Sequence, residues 1–93
     1  MSRAEPERLD ETLRALSHPD RRRFVRECLE EACAAGDLAA LSDLSLATVS
    51  EHLKVLRKSG LLILDRRGRF WLYRTDRDAL AAAARALAEL EKG

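Results

Sequence analysis

The sequence predicts a small, mainly α-helical domain with one β-hairpin, in the order α-α-α-α-β-β-α. Three observations support this fold class. Aliphatic residues dominate an apolar fraction of 46%, and aromatic residues make up only 4%, so the core is expected to consist of aliphatic helix faces. Apolar residues recur at helical spacing along most of the chain. One later stretch instead has two short apolar runs around a Gly-containing turn, which is typical of a hairpin.

The first two helices are separated by a proline. Leu9, Leu13 and Leu16 lie at i, i+4 and i+7, which predicts an amphipathic helix over about 6–17. Pro19 disfavours helical backbone at the residue before it and ends that helix. A second helix is expected to begin near Asp20 and to run to about Ala35. Its predicted buried stripe is Phe24, Val25, Cys28, Leu29 and Ala32, and Gly36 is expected to end it in a left-handed cap.

The middle of the chain predicts two helices joined by a tight turn. Asp37 is expected to cap a short helix that contains Leu38, and a turn follows around Asp43. Ser45 then caps a stronger helix over about 46–59, which Gly60 closes. Its apolar stripe is Val49, Leu53 and Leu56. Two short helices with a turn of a few residues form a helix-turn-helix pattern, here residues 37–59.

A hairpin and a last helix complete the chain. Apolar residues at 61–64 and 70–73 flank Gly68, which predicts a hairpin, or wing, over 61–75. Thr75 is expected to cap a last helix over 76–91, whose predicted stripe is Leu80, Ala84, Leu87 and Leu90. A helix-turn-helix followed by a hairpin is a winged helix-turn-helix, and residues 1–93 are predicted to form one such domain.

The charge is balanced overall but uneven along the chain. There are 17 basic and 16 acidic residues, so a generally cationic coat is excluded, yet residues 45–74 carry a net charge of +5. A local positive field suffices for contact with DNA phosphates. We expect no signal peptide and no membrane span, because no apolar run approaches the ~20 residues that a span needs. Two cysteines fit a reducing compartment, so the protein is predicted to be cytoplasmic.

Three segments resemble ArsR-type bacterial transcriptional regulators. Residues 16–23, Leu-Ser-His-Pro-Asp-Arg-Arg-Arg, look like the opening of their second helix. Residues 37–61, with Thr-Val-Ser-Glu-His-Leu-Lys-Val-Leu-Arg at 48–57, are similar to their helix-turn-helix. Residues 68–74, Gly-Arg-Phe-Trp-Leu-Tyr-Arg, are similar to their wing. The resemblance covers about residues 9–91 and implies a homodimeric repressor that binds an imperfect inverted repeat in double-stranded DNA and is released by an effector.

The candidate DNA contacts lie on the second helix of the helix-turn-helix and on the wing. Small hydroxyl and methyl groups can contact base edges in the major groove, and basic side chains can bind guanine, phosphate or the minor groove. The candidates are Ser45, Ala47, Thr48, Ser50, Glu51, Lys54, Arg66, Arg67 and Arg69. Glu51 departs from the family pattern, because many relatives carry a basic or neutral residue there. A carboxylate near phosphates is repelled unless it accepts a hydrogen bond from cytosine N4.

The first and last helices are the predicted dimer contacts. Their candidate interface residues are Leu9, Leu13, Leu16, Leu80, Ala84, Leu87 and Leu90. Two paired copies would place their DNA-reading helices about 34–36 Å apart, one turn of DNA. Arg21, Arg22 and Arg23 lie at a helix N-terminus, where cations are unfavourable, so phosphate partners or ion pairs with Glu7, Glu11 or Asp20 are expected.

The sequence predicts no cofactor and no metal site. Neither the first helix of the helix-turn-helix nor the last helix carries the Cys or His ligands that metal-sensing relatives use there. His52 is expected to be structural or phosphate-facing, and His18 to act at a helix entry. Cys28 is expected in the core, and Cys33 is left open as a thiol sensor or an intersubunit partner. A Cys28–Cys33 disulfide is excluded unless the helix ends before Cys33.

Two further function classes were weighed. No catalytic triad, phosphate-binding loop or paired catalytic carboxylate is present, so the chain is predicted not to be an enzyme. A winged-helix module that binds another protein instead of DNA is the main alternative, favoured by Glu51 and the near-zero net charge. Salt dependence separates these two, because DNA binding weakens steeply as salt rises.

Overall fold

The computed structural model describes residues 8–92. Its seven elements follow the predicted order and form a winged helix-turn-helix. They are α1 (Leu9–Leu16), α2 (Pro19–Glu30), α3 (Ala35–Ser42), α4 (Leu46–Lys58), β1 (Leu62–Arg67), β2 (Phe70–Thr75) and α5 (Arg77–Glu91). Part of the first predicted helix, residues 6 and 7, lies outside the described residues. No helix within residues 8–92 is both long enough and apolar enough to cross a membrane.

The core is built around α4. Its predicted stripe of Val49, Leu53 and Leu56 is fully buried, and it packs with Phe24 and Cys28 of α2. Complete burial of a Leu or Phe side chain stabilises a fold by about 1.5–3 kcal/mol. The apolar face of α4 is therefore what fixes the orientation of its opposite face.

The second helix ends five residues earlier than predicted. α2 ends at Glu30, and Glu31 is extended. The reason lies far along the chain, because the backbone of Cys33 pairs with that of Tyr73 in β2 through two N–H···O bonds of 2.8 Å. This pairing needs extended backbone at Cys33, so the helix cannot continue to Ala35. Ala32, predicted to be buried, is exposed.

The start of α3 also differs from the prediction. The helix begins at Ala35 with Ala34 as its N-cap, so Asp37 lies in the first turn rather than at the cap. Gly36 lies inside this helix and does not end α2. The predicted turn is confirmed, because Asp43 has left-handed backbone with φ +61°. The helix-turn-helix therefore begins two residues before position 37.

The ends of α4 and the hairpin are as predicted. Ser45 caps α4, and Gly60 follows it with φ +89°. The strands pair antiparallel, with Leu62 opposite Thr75 and Arg67 opposite Phe70. Gly68, with φ +62°, opens the two-residue turn between them. A two-residue hairpin loop favours a residue that tolerates positive φ at this place.

The junction between β2 and α5 corrects one prediction. Thr75 does not cap the last helix; its buried hydroxyl donates to the Val25 carbonyl at 2.7 Å and ties the wing to α2. Asp76 is the cap, because its carboxylate accepts from the Asp78 and Ala79 amides. Both residues suit a cap, and the register of the hairpin decides between them.

The terminal helices turn small residues inward. α1 buries Thr12 and Ala15, and α5 buries Ala83 and Ala86. The Leu stripes predicted for these helices are only partly packed in a single chain. Leu16 and Leu80 pack partly buried against the core, whereas Leu13 is 38% exposed and Leu90 is 70% exposed.

Candidate nucleic-acid interface

The exposed face of α4 lies opposite its buried stripe. At 100° per residue, Ala47, Ser50, Glu51 and Lys54 span an arc of about 100°. All four are exposed, as are Ser45 and Thr48 at the start of the helix. The structure therefore brings the predicted α4 residues together on one accessible face. Leu46, in the first turn, is also 56% exposed and adds an apolar edge.

The cap of α4 fixes two of the hydroxyl groups. The Ser45 hydroxyl accepts from the Thr48 amide at 3.1 Å and donates to the Thr48 hydroxyl at 3.0 Å. The proton of Ser45 is thus engaged within the chain, whereas that of Thr48 remains available to an acceptor outside. Among the predicted contacts, Ser45 orients Thr48, and Thr48 presents the free donor.

The N-terminal end of α4 favours anions. The first turn of α4, which is entirely within the described residues, contains no acidic side chain. A helix N-terminus carries a partial positive charge and free amide groups, and both attract phosphate. Arg57 and Lys58 lie in the last turn, where cations are favourable. Charge along α4 is therefore arranged with the helix dipole and leaves its N-terminus open to a phosphate.

The wing arginines have different surroundings. In the register of the hairpin, Arg66 lies opposite Trp71 and Arg67 opposite Phe70, so Arg66 and Arg67 project from opposite faces. Asp65 contacts Arg67 and Arg74, each at 3.5 Å. No ion pair within residues 8–92 restrains Arg69 at the turn. Arg66 likewise has no ion pair there, so Arg66 and Arg69 are the wing arginines without a carboxylate partner in the described structure.

Arg66 stacks on an exposed tryptophan. Its guanidinium carbon lies 4.5 Å from the centre of the Trp71 ring, and the ring is 51% exposed. The contact restricts the Arg66 side chain without using its hydrogen-bond donors. Sequence reasoning placed Trp71 in a strand and missed this role; its position directly across the hairpin from an arginine was the available signal.

Two of the three arginines at the start of α2 are structural. Arg21 donates to the Ala15 carbonyl at 2.8 Å, and Arg22 donates to the Leu16 carbonyl at 2.7 Å. These carbonyls form the negative end of the α1 dipole, which explains why cations are favourable here. The expected pairing with Glu11 or Asp20 is absent from the ion pairs of residues 8–92, and Glu7 lies outside that range.

Two histidines meet between α2 and α4. His18 caps α2, and its Nδ1 accepts from the Asp20 amide at 3.2 Å, in agreement with the predicted helix-entry role. His52 lies against it, with ring centres 4.5 Å apart. Burial lowers the pKa of His52, and the nearby His18 and Arg21 lower it further. His52 is therefore a packed, neutral imidazole rather than a phosphate-facing cation.

The two cysteines are free thiols at the end of α2. Cys28 is in the core as predicted, and burial raises the pKa of its thiol to about 12. Burial also raises the pKa of Cys33, whose thiol donates to the Glu31 carbonyl. Since α2 ends at Glu30, the helical geometry that excluded a Cys28–Cys33 bridge does not apply. High thiol pKa values nevertheless disfavour the reactive thiolate form of both residues.

The chain is similar in sequence to known helix-turn-helix proteins. The helix-turn-helix domain family matches residues 16–65, which is more than half of the chain. The transcriptional regulator CmtR of Mycobacterium tuberculosis is 42% identical over 79 residues, a match that covers 83% of this chain and 63% of CmtR. The chain thus spans less than two thirds of the length of this curated relative.

Solved structures share the fold. The cadmium metal-sensor CmtR from Mycobacterium tuberculosis superposes with a TM-score of 0.64 at 39% identity, covering 88% of this chain and 81% of that chain. An ArsR-like transcriptional regulator from Rhodococcus sp. RHA1 gives 0.82 at 27% identity, with coverages of 91% and 80%. A homodimeric winged helix-turn-helix DNA-binding domain from Mycobacterium bovis gives 0.75 at 19% identity, with coverages of 99% and 92%.

Proposed function

Because the chain belongs to the ArsR-type family of winged helix-turn-helix transcription regulators, we propose that it binds an inverted-repeat operator as a homodimer and represses transcription. Members of this family are regulators and not enzymes. One observation carries the proposal. The solvent-facing side of α4 exposes small polar groups and Lys54, while three fully buried side chains hold the helix in place.

The roles of the candidate residues follow from their surroundings. Thr48 and Ser50 hydroxyls and the Ala47 methyl are of the size and chemistry that contact base edges in the major groove. Lys54 binds guanine or phosphate on the same face. The Glu51 carboxylate accepts a hydrogen bond from the N4 amino group of a cytosine, which would weaken binding to sites with another base at that position. Ser45 contributes by orienting Thr48 rather than by reading a base.

The wing supplies the second contact. Arg69 at the turn and Arg66, restricted by Trp71, reach the backbone or the minor groove beside the site. Arg67, on the opposite face and near Asp65, contributes less. Base contacts from α4 would then determine which sequence is bound, and backbone contacts from the wing would set the orientation of the protein on the DNA.

The homodimer is proposed to form through α1 and α5. In a single chain, Leu13, Leu87 and Leu90 are exposed on these helices, and Leu9, Leu16 and Leu80 are half-buried. Burial of such side chains between two copies would add apolar area that a chain of this size needs for stability. We place the protein in the cytoplasm, where its DNA is, and we propose release by an effector whose identity is open.

The test is fluorescence anisotropy on a duplex from upstream of the protein's own gene, with a scrambled duplex as control. We expect at least about hundredfold tighter binding to the native duplex at ~0.15 M salt, because specific protein–DNA complexes exceed non-specific ones by at least ~10³. Equal, weak binding to both duplexes, together with a salt-insensitive protein partner, would instead support the protein-interaction module.

A further inference from the structure

Two histidines and one carboxylate converge where α2 begins beside α4. His18 caps α2, Asp20 lies in its first turn, and His52 lies midway along α4. One ligand atom of each residue lies within 4.8 Å of the ligand atoms of the other two. The imidazole rings are tilted by 55° to each other. His18 and Asp20 are half-buried and accessible from solvent, and His52 is the most buried of the three.

The donor set selects a class of metal ion. Two imidazole nitrogens and one carboxylate oxygen suit zinc and its first-row neighbours cobalt, nickel and copper. Magnesium and calcium prefer oxygen donors alone, and soft ions prefer thiolates. Three protein ligands would leave at least one coordination position for water.

The ligand atoms must come closer together to bind one ion. In a tetrahedral site with zinc–ligand distances of ~2.0–2.1 Å, the ligand atoms lie about 3.3 Å apart. His18 Nδ1 and Asp20 Oδ2 are 4.0 Å apart in the structure. The side chains of these two residues are 41% and 34% exposed. Metal binding through Nδ1 would replace the hydrogen bond that this nitrogen accepts from the Asp20 amide.

The surroundings set a limit on affinity. An Arg21 nitrogen lies 3.5 Å from His52 Nδ1, and this cation opposes a second positive charge. The guanidinium of Arg21 is held by the Ala15 carbonyl, which keeps it directed partly towards α1. The Asp20 carboxylate offsets the charge from the other side. Because of the Arg21 charge, only an ion that binds imidazole strongly is expected to occupy the cluster.

We propose that His18, Asp20 and His52 form a binding site for one divalent transition-metal ion of the zinc class, which links α2 to α4. The sequence predicted no metal site, because the helices that carry the ligands in metal-sensing relatives have no Cys or His here. It gave no sign that His18 and His52 meet. The site is independent of the proposed DNA function, since its ligands are not among the proposed DNA contacts and its test needs no DNA.

The test is a zinc titration of the metal-free full chain under reducing conditions. Calorimetry should give one zinc per chain, and the imidazole signals of both histidines should shift in the side-chain ¹H–¹⁵N NMR spectrum. The chain has only two histidines, so these signals report on this cluster alone. Zinc at about 100 times its Kd should raise Tm by roughly 10–20 °C, because it binds only the folded arrangement.

Matched variants locate the ligands. His18→Asn keeps a side chain that caps α2, and His52→Gln keeps a polar side chain of similar length; each should weaken zinc binding at least about tenfold. Cys33→Ser should leave the affinity within about twofold, because no thiol belongs to the site. The proposal is overturned if excess zinc leaves both histidine signals unmoved, if both histidine variants bind as the parent does, or if Cys33→Ser abolishes binding.

Discussion

The helices α4 and α5 place their apolar side chains in opposite ways. α4 buries Val49, Leu53 and Leu56 within its own chain and exposes small polar groups. α5 buries only Ala83 and Ala86, and Leu87 and Leu90 on it are exposed. The apolar side chains of α4 are thus buried within the single chain, whereas the larger apolar side chains of α5 remain exposed. This difference separates a helix held in place to contact a ligand from a helix available to contact another copy of the chain.

The largest expected effect comes from breaking the buried face of α4. Leu53→Ala should destabilise the domain by ~2–5 kcal/mol, because it leaves a cavity at the centre of the core. Thermal unfolding followed by circular dichroism should show Tm lowered by about 10 °C or more. Leu46→Ala on the exposed side of the same helix is the control, and we expect a change within about 0.5 kcal/mol. Equal effects of the two variants would show that α4 is not anchored as described.

The next effect concerns the exposed face of α5. Leu87→Glu should weaken self-association at least about tenfold, because it would bury an unpaired charge between two copies. Sedimentation over a range of concentrations measures the dimer constant. Leu41→Glu is the matched control, because Leu41 is 40% exposed and Leu87 is 44% exposed. Leu41 lies on α3, outside the proposed interface. A dimer that tolerates Leu87→Glu and is lost in Leu41→Glu would move the interface to α3.

The smallest effect tests the wing. Arg66→Ala, Trp71→Ala and the double variant form a cycle on DNA affinity. We expect a coupling energy of about 0.5–1 kcal/mol between the two substitutions, because a cation–π contact at an exposed site contributes about that much. Strictly additive effects in anisotropy titrations would mean that Trp71 does not position Arg66 on DNA.

The extent to which the sequence predicted the structure differs between these same regions. The start of α4, at Leu46, and its buried stripe were predicted because the Ser45 cap, the helical spacing and Gly60 are all local signals. The end of α2 was not predicted, because it is set by the pairing of Cys33 with Tyr73 forty residues later along the chain. Thr75 was predicted to cap α5, but its hydroxyl is used by the contact between the wing and α2, and Asp76 caps the helix instead.

In the candidate site, too, local sequence signals predicted some features and tertiary contacts determined the others. Exposure of all nine predicted DNA contacts followed from helical and strand periodicity. Their interactions did not, because the stacking of Arg66 on Trp71 and the binding of Arg21 to α1 depend on tertiary contacts. The meeting of His18 and His52 is likewise a product of the packing of α2 against α4.

The most direct test of the central claim, that α4 presents the DNA-contacting surface, is the salt dependence of operator binding by Lys54→Ala. Loss of one phosphate contact per copy should lower the slope of log affinity against log salt by ~0.9 for each copy, or about 2 for a dimer. Lys92→Ala removes the same charge from the end of α5 and should leave the slope unchanged. Unchanged affinity and slope in Lys54→Ala, or an equal loss of slope in Lys92→Ala, would contradict the placement of the DNA on α4.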